Sequence, residues 1–134
     1  MLVDQLSTMA RTVYGEARGE PFEGKLAVAF VIRNRAARPG WWGKDVESVC
    51  RRPYQFSCWN AGDPNRPAIE AVDLPDASFA ECLVACIAAL REPAAPDPTQ
   101  GATHYHAKGV MPVWTQGKTP CARIGGHLFY NDID

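Results

Sequence analysis

The stretch LSTMARTVYGEARGEPFEGKLAVAFVIRNRA, residues 6–36, contains two helical patterns separated by a Gly-Pro break. Leu6, Met9, Ala10, Val13 and Ala17 recur at i, i+3, i+4 spacing, which predicts a helix over residues 5–17 with one buried face. Asp4 is placed to cap it. Gly19 and Pro21 end this helix and start the next. Over residues 22–37 the run from Leu26 to Ile32 is apolar on nearly all sides, the pattern of a helix central in a core. Pro39-Gly40 is the expected stop.

Outward from this pair the signals are shorter. A brief helix is predicted at 45–50, and residues 53–67 read as a loop or short hairpin. Residues 77–91 form the last clear helix, with Asp76 as cap and Phe79, Leu83, Cys86, Ile87 and Leu90 turned inward. Pro93, Pro96 and Pro98 make Glu92–Pro98 an extended loop. The final third is irregular, with strands expected near 103–106 and 127–130. The predicted class is helix-rich α+β, one domain spanning 1–134.

A chain that is 46% hydrophobic and 22% charged can bury an ordinary core under an ordinary surface. Its formal charge of -1, from 14 basic and 15 acidic residues, argues against nucleic acid as a partner. Arg33, Arg35 and Arg38, with Lys44, Arg51 and Arg52 nearby, read as a solvated helix end and loop. No run approaches the roughly 20 apolar residues of a membrane span. Met1 leads directly into Asp4 and an amphipathic pattern, without a signal-peptide character, so synthesis in the cytoplasm without a signal peptide is expected. The five cysteines, Cys50, Cys58, Cys82, Cys86 and Cys121, are odd in number and lack a CxxC spacing, so buried free thiols are expected.

Glu16 is the residue with chemical potential. Positions 6, 9, 13 and 16 continue the apolar stripe, so its carboxyl lies on the core-facing side of the helix's last turn. Desolvation there raises a carboxyl's pKa and keeps it protonated near neutral pH, as a general acid requires. The competing reading has Glu16 bond Arg18 or the backbone and merely terminate the helix. Gly15 beside it removes a side chain that could block access. Glu20 and Glu23 read as cap or dipole residues of the second helix. Tyr54-Gln55-Phe56-Ser57-Cys58-Trp59-Asn60 mixes rings with amide and hydroxyl groups, which suits a sugar site as well as a packed aromatic hairpin. Thr103-His104-Tyr105-His106 is the other cluster. Alternation puts His104 and His106 on one strand face and Tyr105 on the other.

Val13-Tyr14-Gly15-Glu16-Ala17-Arg18-Gly19-Glu20-Pro21, with Gly24, Ala27-Val28-Ala29 and Ile32-Arg33-Asn34-Arg35, resembles the opening motif of the SleB/CwlJ-type cell wall hydrolases. Gln55-Phe56-Ser57-Cys58-Trp59 is similar to the middle motif of the family's phage and proteobacterial branch. Asp97-Pro98-Thr99, Gly101-Ala102-Thr103-His104-Tyr105-His106, Trp114, Ile124-Gly125 and His127-Phe129-Tyr130 resemble its C-terminal part. The resemblance runs from about residue 8 to 130. It implies a lysozyme-like domain related to lytic transglycosylases, acting on peptidoglycan glycan strands; a monomer is expected. It implies Glu16 as the catalytic acid, with Glu20 as its rival. Gln55, Phe56, Ser57, Trp59, Tyr105 and His106 are the expected substrate-binding residues. The chain departs from the spore enzymes in showing no signal and no separate wall-binding domain, which favours a phage, prophage or gene-transfer-particle setting.

The residues leave two other classes open. A zinc-dependent amidase or peptidase would use His104, His106 and His127, but there is no HExxH and no acid at a familiar metal spacing. A noncatalytic wall-binding or virion module would show no turnover at all. No metal and no cofactor are expected. Lysis of purified sacculi should therefore persist in a chelator; complete, zinc-reversible loss would restore the amidase reading.

Overall fold

The computed structural model describes residues 3–38, 42–53 and 55–133. The elements in chain order are α1 (Val3–Ala17), α2 (Phe22–Ala36), α3 (Val46–Arg51), α4 (Arg66–Ala71) and α5 (Ala77–Leu90), then β1 (His104–Ala107), β2 (Ala122–Ile124) and β3 (His127–Tyr130). Single 3-10 turns lie at Ser57–Trp59 and Val113–Thr115. The class is helix-rich α+β. Among the described residues no helix is long and apolar enough to cross a membrane.

The two long N-terminal helices form where the periodicity places them. Met9, Ala10 and Val13 of α1 are fully buried, and Ala17 nearly so. Helix α2 is the central element, buried from Ala27 through Ile32 and packed against both α1 and α5. Asp4 does not cap α1, because the helix already includes it in its first turn. The Pro39-Gly40 stop lies outside the described residues. Asp76 does cap α5, its carboxylate accepting from the Phe79 N–H at 2.9 Å. Asp45 and Ser48 form a reciprocal capping box on α3.

The inward stripe of α5 is Phe79, Cys82, Ala85, Cys86 and Ala89. Ile87 is 49% exposed, against expectation, because one further residue rotates the side chain about 100° off that stripe. Residues 53–67 make no hairpin among the described residues; they hold the Ser57–Trp59 turn and lead into α4. Pro67 sits in the first turn of α4, where its missing N–H costs nothing. All five cysteines are free thiols, four buried and Cys121 half-buried.

The strands form one antiparallel sheet in the order β1-β3-β2. Tyr105 pairs with Phe129 and His106 with Leu128. Phe129 is fully buried with Ala27 and Val31 of α2 and Ala102, so one ring pins the sheet to the central helix. Phe30 is its counterpart in the main core, also fully buried. Phe30→Ala should destabilise the fold by about 3–5 kcal/mol. The check is a lowered denaturant midpoint with an unchanged slope.

Candidate active site

Glu16 ends the buried face of α1 with its side chain half-buried at the rim of the core. From the sheet, the Tyr105 hydroxyl donates to its Oε1 at 2.5 Å. The Cys58 thiol donates to the same carboxyl. Burial pushes the Glu16 pKa above the ordinary carboxyl value. The Tyr105 and Cys58 donors, and then the Arg35 charge, oppose that rise; the charge of Asp63 adds to it. The result is a carboxyl that holds its proton more firmly than an exposed glutamate, beside donors ready to stabilise its anion.

Each neighbour is held by a separate device. The Tyr105 ring stacks on Phe129 at 5.6 Å between centroids and meets the edge of His127 at 5.1 Å. Burial and the Glu16 carboxyl keep its phenol protonated, raising its pKa well above the usual range. Cys58 reaches Glu16 because Gly15 has no side chain. A Cβ there would stand 2.8 Å from Cys58 Sγ and 3.0 Å from the side chain of Ile69. Gly15 thus admits the Cys58 turn, a different role from the clear approach to Glu16 expected from sequence. Burial also pushes the Cys58 thiol up to about 12, so it stays an S–H donor.

Arg35 is 7% exposed, not the solvated helix-end residue expected from sequence. Its guanidinium lies over the rings of Phe56, at 5.1 Å, and Trp42, at 5.8 Å. Its Nε donates to the Thr103 carbonyl at 2.8 Å, while its buried Nη1 has no hydrogen-bond partner. Desolvation lowers its pKa; the nearby Tyr105 and Glu16 work against that. Glu20 is differently engaged. Its Oε1 accepts from the Gly126 N–H at 2.6 Å and lies 3.8 Å from His127 Nδ1. A Cβ at Gly125 would collide with the Glu20 carboxylate, and its φ of +56° is also one that glycine adopts freely. This acid fastens the β2–β3 turn to the α1–α2 junction.

A model of the Cell Wall Hydrolase family matches residues 19–130. The chain belongs to that family. The match begins at Gly19, so Glu16 lies outside it. The spore cortex-lytic enzyme of Bacillus subtilis is 32% identical over 131 residues, which cover 94% of this chain and 37% of that protein. That of Halalkalibacterium halodurans is 33% identical over 129 residues, covering 96% and 35%. The chain thus spans little more than a third of these curated relatives. Two solved structures are similar over nearly their full length. The catalytic domain of the Bacillus cereus SleB protein is 27% identical with a TM-score of 0.70, covering 94% of this chain and 88% of that one. The catalytic domain of the germination-specific lytic transglycosylase SleB from Bacillus anthracis is 26% identical with a TM-score of 0.71, covering 96% and 95%. The helix-rich α+β domain with its small antiparallel sheet is the family's fold.

The residues singled out in the sequence occupy distinct positions in this fold. Tyr105 touches Glu16 directly. Gln55 is half-buried and Ser57 exposed on the turn that carries Cys58. Phe56, 2% exposed, lies beneath the site as a platform for Arg35. Trp59 is 8% exposed, and its indole N–H donates to Thr12 Oγ1 at 2.7 Å, so it braces the turn against α1. His106 is buried against Tyr130, with Nε2 2.9 Å from that hydroxyl. Tyr54 lies outside the described residues. His104 sits between Trp42 and Trp114, its pKa pushed down to about 4 by burial and by Arg35 and Arg38. Cys58 and Arg35 were not seen as site residues. Their only signal was inclusion in the middle and opening motifs. Tyr105→Phe removes the largest donor to the Glu16 anion. The Glu16 carboxyl should then titrate at higher pH than in the parent, read by carbon NMR of labelled glutamate; an unchanged titration would contradict the contact.

Proposed function

We propose that this chain cuts peptidoglycan glycan strands between N-acetylmuramic acid and N-acetylglucosamine by lytic transglycosylation, with Glu16 as general acid and then base. The observation that carries the reading is a half-exposed carboxyl with a raised pKa, met by the Tyr105 hydroxyl. The likeness to a catalytic domain described as a lytic transglycosylase supports the reaction type.

Protonated Glu16 donates to the glycosidic oxygen as the bond to the muramyl C1 breaks, and the bonding pair leaves with that oxygen. The Glu16 anion is then stabilised by Tyr105, Cys58 and the Arg35 charge. This anion removes the proton of the muramyl C6 hydroxyl, whose oxygen closes on C1. The product is a 1,6-anhydro end, and Glu16 is protonated again without water entering. One carboxyl suffices. Gln55, Ser57 and Tyr105 would meet the strand, while Phe56, Trp59 and His106, all buried, would hold the surrounding groups through Arg35, Thr12 and Tyr130.

Hydrolysis by a second carboxylate is the alternative. Asp63 is the acid whose charge reaches Glu16, whereas Glu20 is engaged by the Gly126 N–H. The chain would act at the cell wall. The relatives matched are spore cortex-lytic enzymes, and nothing among them supports a phage-particle setting. Glu16→Gln should lower sacculus lysis by roughly 10²–10⁴-fold. Mass spectrometry of wild-type digests should find anhydro-muramyl ends, one water lighter than reducing ends. Reducing ends alone would make the chain a hydrolase and direct attention to Asp63.

A further inference from the structure

The stretch that carries Glu16 holds a second acid, Glu20, and the fold leaves room for its side chain on two elements. A Cβ at Gly24 of α2, or at Gly125 or Gly126 of the β2–β3 turn, would come within 3.1 Å of a Glu20 side-chain atom. Three glycines thus surround one carboxylate, whose Oε1 accepts from the Gly126 N–H at 2.6 Å. The Glu20 N–H donates to the Ala17 carbonyl at 2.9 Å, and the Arg18 N–H to the Tyr14 carbonyl at 3.1 Å. Glu16 and Glu20 therefore stand on one hydrogen-bonded stretch of backbone. Whatever Glu20 grips is held in a set relation to Glu16.

That grip leads to Tyr105 by two routes. The Gly126 carbonyl accepts from the Lys108 N–H at 3.0 Å, and Lys108 directly follows β1. Arg35 holds the other end of β1 at the Thr103 carbonyl, so Tyr105 lies on a strand fastened at both ends. The second route is His127. Its Nδ1 lies 3.8 Å from Glu20 Oε1, and its ring meets the Tyr105 ring edge-on at 5.1 Å. Phe129, two residues on along the same face of β3, stacks on Tyr105 and is seated against α2 by its own apolar contacts. His127 is the wall of the phenol that stands beside Glu20. The Tyr105 hydroxyl meets Glu16 at 2.5 Å, and a hydrogen bond weakens steeply when its donor is displaced or turned.

We propose that Glu20 is a positioning residue for the Glu16–Tyr105 pair: by holding the β2–β3 turn and the His127 ring, it sets the phenol hydroxyl on the acid. It acts through Tyr105 and touches no reacting atom. The proposal rests on the reading of Glu16 as the acid that cuts glycan. The groups that face the Glu16 carboxyl are Tyr105 from β1, Cys58 from the turn at 57–59, Arg35 from α2 and Asp63 from the loop before α4. His127 itself faces Glu20 and His106. Of the groups around Glu16, the phenol is the one that the Glu20 grip supports. If the turn slackens, the Glu16 anion loses that donor, and the carboxyl keeps its proton to higher pH.

The test follows two readouts, kinetics on soluble glycan strands and the carbon NMR titration of labelled Glu16, whose signal is identified by its loss in Glu16→Gln. Glu20→Ala releases the turn, and Gly125→Ala displaces the carboxylate while leaving it in the chain. Both should lower kcat by roughly 10²-fold with little change in KM, the effect of a small misplacement at a reacting group. Both should move the Glu16 titration to higher pH, in the direction of Tyr105→Phe. Adding Glu20→Ala to Tyr105→Phe should raise it no further. Glu20→Gln keeps an oxygen for the Gly126 N–H and should behave as the parent. Glu20→Asp shortens the reach by one methylene and should shift the titration the same way as alanine, which covers the case in which the alanine variants do not fold. A Glu16 titration unchanged in every folded alanine or aspartate variant would overturn the proposal and leave Glu20 a structural support. Glu20→Gln as inactive as Glu20→Ala would also overturn it, because the carboxylate would then take part in the chemistry itself. The titration needs no substrate, so a parent chain that cuts no glycan would sink the glycan-cleaving reading while the role of Glu20 is still judged.

Discussion

Two side chains of α2 hold the backbone from which the sheet begins. Asn34 donates from Nδ2 to the Ala102 carbonyl at 2.9 Å and to Asp97 at 3.0 Å, and Arg35 donates to the Thr103 carbonyl. Asp97 in turn accepts from the N–H groups of Thr99 and Gly101, so the loop is bonded within itself as well as to the helix. Buried polar groups fix position more sharply than apolar contact does, because a small displacement leaves them unpaired. Everything downstream takes its height from this attachment: β1 leaves the loop, Tyr105 follows two residues after Thr103, and its hydroxyl reaches Glu16.

The electrostatics of the candidate site are a balance between burial and donors. Burial alone would make Glu16 a strong keeper of its proton and a poor donor of it. The phenol, the thiol and the Arg35 charge stabilise the anion and so restore its acidity in part. Arg35 carries a cost in this arrangement, since it is desolvated and leaves one nitrogen unbonded. The flanking Phe56 and Trp42 rings offset some of that cost through their π faces. A site built this way is sensitive to residues that never touch a ligand.

The sequence was most readable where one periodic signal ran long. The α1 stripe predicted both a helix and a core-facing Glu16, and the apolar run of α2 predicted its burial. Short elements escaped. Helix α4 has six residues and begins at a Pro-rich loop, and β2 has three residues whose pairing with β3 is set by tertiary contact. Neither length carries a readable period. Partners of Glu16 were hidden for a related reason. Nothing local marks Cys58 as facing Gly15, or Arg35 as buried against Phe56 and Trp42, because each depends on how the turn and the sheet close over the helices. Composition misled at Arg35, which stands in a basic run yet sits between aromatic rings. The family resemblance supplied the order of motifs and the expected chemistry, but not which side chains touch.

The bond between Tyr105 and Glu16 joins positions 89 apart, and that between Gly126 and Glu20 joins positions 106 apart. A ribosome delivers the helices first. While they are emerging, Glu16 is already present on α1 but has no phenol beside it, and Glu20 has no turn to grip. Loop closure over such spans comes late, after the local helices have formed. Arg35 and Cys58 come early with the helices, Tyr105 follows with β1, and the Gly126 grip on Glu20 comes last, so a chain interrupted before β3 is a helical scaffold whose sheet has not yet been fastened to the α1–α2 junction.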